Sequence, residues 1–128
     1  MSRKREVLLV AGLFVIAVIG SAMVWSLLPA EYRENQSTDY LNAYEPVARA
    51  IAAGQGITLD GEIATRYPPG FSILLAGVFR LGSTLNVADE TALLAFRLVC
   101  VGLAVVLVYG LARLVWSPLA ALIPALAW

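Results

Sequence analysis

The residues able to do chemistry gather in one stretch. Between Pro29 and Arg66 stand six carboxylates (Glu31, Glu34, Asp39, Glu45, Asp60, Glu62) and three guanidinium groups (Arg33, Arg49, Arg66), with Tyr67 following directly. A carboxylate can take the proton of an attacking hydroxyl, and a guanidinium can hold a phosphate by charge-assisted hydrogen bonds. Elsewhere the chemistry is thin. The absence of histidine removes histidine triads, histidine-ligated zinc and histidine pH switching. Lys4 is the only lysine, which excludes a glycine-lysine phosphate loop and a Schiff-base lysine. The single cysteine, Cys100, lies in an apolar run and has no partner for a disulfide within the chain. Nine basic and nine acidic residues cancel, and no basic stripe invites nucleic acid. Catalysis, if any, rests on Asp, Glu, Arg or Tyr. On spacing alone, the clustered groups read as ordinary solvated loop charges.

The elements that must position these groups are apolar helices. Of 128 residues, 60 % are hydrophobic and 14 % charged, against about 25 % charged in a soluble domain. That shortage excludes a soluble enzyme, a disordered tail and a disulfide-stapled secreted module. The predicted fold class is all-α: polytopic transmembrane helices, three plus a truncated fourth, with a long outer loop containing a short juxtamembrane helix. Residues 7–28 are 22 uncharged residues, enough to cross a hydrocarbon core of about 30 Å at 1.5 Å per residue. Arg3-Lys4-Arg5 ahead of them predicts a cytoplasmic N terminus, with the far end emerging outside near Trp25. A second span is expected over 68–84, opened by Pro68-Pro69, with Arg80 snorkelling toward the cytoplasmic head groups. A third is expected over 92–112, with Arg97 near its inner end, and a truncated fourth over 114–128. Gly12, Gly20, Gly102 and Gly110 are expected to be close-packing points between helices. Ending on Leu126-Ala127-Trp128, inside an apolar run, the chain reads as an N-terminal fragment of a longer protein.

The 29–66 loop has 38 residues and a net charge of −3, far longer than the usual connector of about 4 to 6 residues. Within it, Tyr40, Tyr44, Val47, Ala48 and Ile51 share one helical face, which predicts a juxtamembrane helix over about 39–53 with its aromatic face on the membrane. Ser37, Thr38 or Asp39 is expected to cap it, Pro46 to kink it or mark a first turn, and Gly54 to end it. Asp60-Gly61-Glu62 reads as a turn. Asn35-Gln36-Ser37 matches the Asn-x-Ser acceptor of glycosylation, a motif common by chance.

One ordered set of motifs resembles a known family. A basic-flanked first span is followed by Asp39, by Tyr44 and Ala48 at Y-x-x-x-A spacing, by Gly54, by Tyr67-Pro68-Pro69 opening the second span, and by Arg97-Leu98 opening the third. This order resembles the N-terminal part of class C (GT-C) membrane glycosyltransferases, the group that includes protein O-mannosyltransferases, lipid A aminoarabinosyl transferases and rhizobial galacturonosyltransferases. The resemblance implies transfer of a sugar from a polyprenyl-phosphate donor to an acceptor hydroxyl of a glycan, lipid or protein, on the outer face of the inner cell membrane and with inversion. It implies Asp39 as the general base, and Arg66 first, Arg49 second and Tyr67 as contacts to the donor phosphate. Tyr67 also reads as an anchor in the interfacial aromatic belt. No cofactor beyond the lipid-linked donor and no metal ligand set is implied. Tyr67 stands where aminoarabinosyl transferases carry a lysine, which points to a more generic relative. With fewer spans than the family, the chain is expected to be inactive alone. The competing reading is a non-enzymatic multi-span protein, a transporter fragment or small accessory subunit. A transporter site belongs near the membrane midplane, and the ionisable cluster here lies outside the predicted spans.

Overall fold

The computed structural model describes residues 2–33, 37–64 and 66–127, so the Asn35-Gln36 part of the Asn-x-Ser motif, with Glu34, lies outside the described residues, as does Trp128 at the end of the predicted fourth span. The chain is mostly helical and forms two compact units, Met1–Leu28 with Arg97–Trp128, and Pro29–Phe96.

In the first unit, α1 (Arg3–Leu27) and most of α4 (Asp89–Arg113) are each long and apolar enough to cross a membrane. Their most apolar windows have mean hydropathy 2.8 and 2.5, with only 6 % and 11 % of the window buried, which distinguishes them from the core helices of a soluble fold. The two helices run antiparallel. Glu6 accepts from Arg113 at 2.9 Å, Leu13 packs with Val105 and Tyr109, the Phe14 ring faces Gly102, and the Arg97 guanidinium lies 5.5 Å from the centroid of the Trp25 ring. At 1.5 Å per residue, the Glu6–Trp25 and Arg97–Arg113 intervals are about 28 and 24 Å long, close to a hydrocarbon thickness of about 30 Å. Polar rims therefore bound an apolar middle. A six-residue α5 (Leu122–Ala127) returns onto the pair, burying Ala125.

Among the described residues, two helices have the length and apolarity to cross a membrane; three spans and a truncated fourth were expected. Arg97 sits at the Trp25 end of the pair, beside the end of α1, rather than at the end where α1 begins. Leu28 and Arg97 thus lie toward the same end of the helix pair. Of the four glycines expected at close helix contacts, Gly102 alone has a neighbour: a Cβ there would lie 2.6 Å from the Phe14 ring, whereas Gly12, Gly20 and Gly110 meet open space.

The second unit packs two helical arms side by side and parallel, joined by a segment that carries a small β-hairpin. Its first arm begins with a π-helical turn over Tyr40–Tyr44, followed by α2 (Glu45–Ala52) with Pro46 in the first turn. Proline has no N–H to give to the preceding turn, and the Glu45 N–H bonds Tyr40 O, five residues back. Gly54 (φ +80°) ends α2. Gln55 N–H bonds Ala50 O at 2.9 Å and Gly54 N–H bonds Ile51 O at 3.0 Å, the paired bonds of a Schellman end. Strands β1 (Thr58–Leu59) and β2 (Glu62–Ile63) pair antiparallel across Asp60-Gly61. Both turn residues have positive φ, 52° and 85°, which suits the twist of a two-residue hairpin.

The second arm, α3 (Gly70–Thr84), follows Pro68-Pro69 as expected, but its 15 residues reach only about 22 Å. It packs along α2. Ala48, fully buried, meets Leu75, Ala76 and Phe79, and Tyr40 joins the same cluster. The aromatic face of the 39–53 helix, expected to lie on a membrane surface, is therefore covered by α3. Arg80 is also placed differently from the expected cytoplasmic rim: it donates to Ala52 O at 3.1 Å and Ile51 O at 3.2 Å. Those carbonyls lie in the last turn of α2, at its negative dipole end. Asn86 (φ 56°) closes α3, with Val87 N–H bonding Gly82 O at 2.9 Å.

Candidate functional site

The parallel α2–α3 pair brings together two residues that lie 28 positions apart. Asp39, one residue ahead of the π-helical turn, and Tyr67, just before the prolines of α3, meet where both arms begin. The Tyr67 hydroxyl donates to Asp39 Oδ1 at 2.7 Å, a short bond of the charge-assisted kind. Asp39 makes no side-chain cap to its own helix, so its carboxylate is turned to this contact. Accepting that proton holds the Tyr67 phenol in its protonated form and raises its pKa above the ordinary tyrosine value. The Tyr67 ring leans on Tyr44, 5.2 Å between centroids, and Tyr44 meets Phe71 edge-on at 5.3 Å. Ser72, 2 % exposed, donates to Tyr44 O at 3.0 Å and ties the start of α3 to the π/α junction.

Asp39 and Tyr67 border a cleft of about 500 Å³ between the first helical arm, the β1–β2 hairpin and the start of α3. Pockets of 300–1,000 Å³ hold small ligands. Arg66 also lines the cleft, with its guanidinium 5.3 Å from the centroid of the Tyr67 ring. Three of the four residues singled out from sequence thus converge. Arg49 does not. It lies outside the cleft lining, bound to Glu45 at 2.8 Å and Asp89 at 2.9 Å, with the Phe79 ring centroid 4.6 Å from its guanidinium. Its two carboxylate partners, Asp89 foremost, raise its pKa further and already match its charge. That pairing removes the reason to place a donor phosphate there, and gives Arg49 a fastening role between α2 and the first turn of α4.

Several cleft residues had no weight in the sequence reading. Asp60 and Glu62, read as part of a turn, face the cleft from the hairpin, and Asn42 faces it from the π-helical turn. The Asp-Gly pair between two short apolar segments was the available signal for the hairpin. Nothing in the spacing pointed to Asn42, because its side depends on the π-helical turn. Among the described residues, no group of three or more metal-ligating side chains gathers closely enough to hold a metal ion. Comparison with protein-family models, characterised proteins and solved structures finds no match to this chain, so the roles of its residues rest on their own geometry and chemistry.

Proposed function

We propose that the chain is part of an integral-membrane glycosyltransferase that moves a sugar from a polyprenyl-phosphate donor to an acceptor hydroxyl, with Asp39 as general base and Arg66 at the leaving phosphate. The observation that carries this reading is the 2.7 Å Tyr67–Asp39 hydrogen bond at the edge of a ligand-sized cleft that Arg66 also lines. Tyr67 engages Oδ1 and leaves Oδ2 for the acceptor. In the transfer step the acceptor oxygen attacks the anomeric carbon, its proton passes to Asp39, and the bond to the carrier phosphate breaks with its electron pair on the phosphate oxygen. The charge growing on that oxygen is what the Arg66 guanidinium would stabilise.

The membrane placement follows the same proposal. With α1 and α4 as antiparallel spans and Arg3-Lys4-Arg5 on the cytoplasmic side, residues 29–96 leave and return on the outer side of the inner cell membrane. There a lipid-linked donor is within reach. The test is a kinetic split in membranes from cells expressing the natural gene. Asp39→Asn lowers kcat by a factor of about 10²–10⁴, the usual worth of a positioned base. Arg66→Gln acts on the step in which the carrier phosphate leaves and lowers kcat/KM for the donor. Transfer at unchanged rate in the Asp39→Asn protein, present at equal amount, removes the assignment.

A further inference from the structure

The lining of the Asp39 cleft also bears on which acceptor it takes. Asp39, Asp60 and Glu62 offer carboxylate oxygens that only accept hydrogen bonds, Arg66 offers N–H groups that only donate, and the Asn42 amide does both. An anion lodged among Asp39, Asp60 and Glu62 would meet three carboxylates, so Arg66 is the one charged lining group among the described residues that would attract the carrier phosphate. An ammonium group, which only donates, would pair the carboxylates and leave the donors of Arg66 and Asn42 unmatched. An alkyl chain would desolvate all of these groups and pair none, which is costly for each. A single serine or threonine hydroxyl would leave most of them unmatched. Several hydroxyls on one ring, each donating and accepting, satisfy both kinds of group together.

The remaining walls suit such a ring. Val47, Ile57 and Leu59 add apolar surface for packing against C–H groups. The hairpin that carries Asp60 and Glu62 is held by its Asp60-Gly61 turn, so the two carboxylates are presented from a fixed backbone. We infer that the cleft seats a neutral sugar ring, and that the acceptor is a glycan hydroxyl rather than a lipid or protein one. This rests on the proposed role of Asp39, because the hydroxyl to be activated must lie beside that carboxylate.

The experiment measures binding without transfer. The full chain in lipid nanodiscs is examined by saturation-transfer NMR with methyl mannoside, methyl galactoside and methyl arabinoside, with ethanolamine as competitor. The expected result is binding of at least one glycoside, weakened about fivefold by Asn42→Ala and again by Glu62→Gln, roughly the worth of one hydrogen bond each, and untouched by ethanolamine. Glu62→Gln keeps the shape of an exposed side chain, so its effect does not depend on altered folding. No bound glycoside, binding indifferent to both substitutions, or displacement by ethanolamine overturns the inference. Glycoside binding without Asp39-dependent transfer keeps the sugar seat and removes the transferase, whereas Asp39-dependent transfer to a lipid or protein hydroxyl does the reverse.

Discussion

Replacing Leu75 by alanine should loosen the α2–α3 helix pair that holds Asp39 against Tyr67. Leu75 is 2 % exposed and sits in a cluster with Tyr40, Ala48, Ala76 and Phe79. Removing its branched end takes away the equivalent of three methylene groups, about 2.4 kcal/mol of burial at about 0.8 each. A cavity cost adds to this, and measured Leu→Ala changes span about 2–5 kcal/mol. Two of the neighbours are alanines with no side-chain length to swing into the gap, so about 3 kcal/mol is expected. Hydrogen exchange followed by mass spectrometry reads this locally. Amides of Glu45–Ala52 and Gly70–Thr84 should lose about 100-fold in protection, at roughly 1.4 kcal/mol per factor of ten. Those of α1, in the other compact unit, should hold theirs. Leu74→Ala is the control, because Leu74 is 59 % exposed and surface changes usually stay within about 0.5 kcal/mol. If Leu74→Ala costs as much as Leu75→Ala, α3 packs by a different face and the placement of Tyr67 against Asp39 fails with it.

Two other outcomes follow from single contacts. Gly102→Ala puts a methyl group where the Phe14 ring lies, 2.6 Å from its nearest carbon. Overpacking of this kind costs about 1–3 kcal/mol, so thermal unfolding followed by tryptophan fluorescence should show a lower midpoint, largely restored by adding Phe14→Leu, while Gly12→Ala should change little. For Tyr67, the folded-state pKa lies above the unfolded value of about 10. The stabilising bond to Asp39 is therefore fully present below that unfolded value and is lost as pH rises through the raised pKa. Spectroscopic titration of tyrosinate should show one group ionising late in the wild-type protein, and Asp39→Asn should bring it back toward the ordinary value. A late group that persists in Asp39→Asn would assign the shift to another cause.

The sequence made the local features legible and left the pairings hidden. Twenty-two uncharged residues after a basic cluster specify α1 whatever surrounds it, and Gly54 ends α2 because few other residues accept its positive φ. The stripe from Tyr40 to Ile51 identified the buried face of the first arm correctly but not what covers it. A matching stripe was present in Ser72, Leu75, Ala76, Phe79 and Gly82, at i, i+3, i+4, i+7 and i+10. The overall apolarity of Gly70–Thr84 masked it, since a helix read as a membrane span needs no partner face. Reading α3 as a span also puts Arg97 at the end where α1 begins, whereas its guanidinium lies beside Trp25, where α1 ends. The Asp39–Tyr67 bond was beyond reach for a related reason: it spans 28 positions and depends on α3 running parallel to the first arm at that same offset, as the Ser72–Tyr44 and Arg80–Ala52 bonds do. Arg49, which looked available as an isolated cation, is matched to Asp89, 40 positions away, a partner that helical spacing does not reveal.

The central claim is that α1 and α4 form an antiparallel pair of spans and that residues 29–96, with the Asp39–Tyr67 cleft, stand on the outer side. Cysteine labelling in intact cells tests it most directly. With Cys100 replaced by alanine, single cysteines at Ser2, Asp60 and Ser117 are exposed to a membrane-impermeant maleimide. The account predicts labelling at position 60 in intact cells, and at positions 2 and 117 only after permeabilisation, because Glu6 and Arg113 place both termini of the pair at one rim. Labelling of position 117 from outside, with position 2 protected, would mean an odd number of crossings between them and would contradict it.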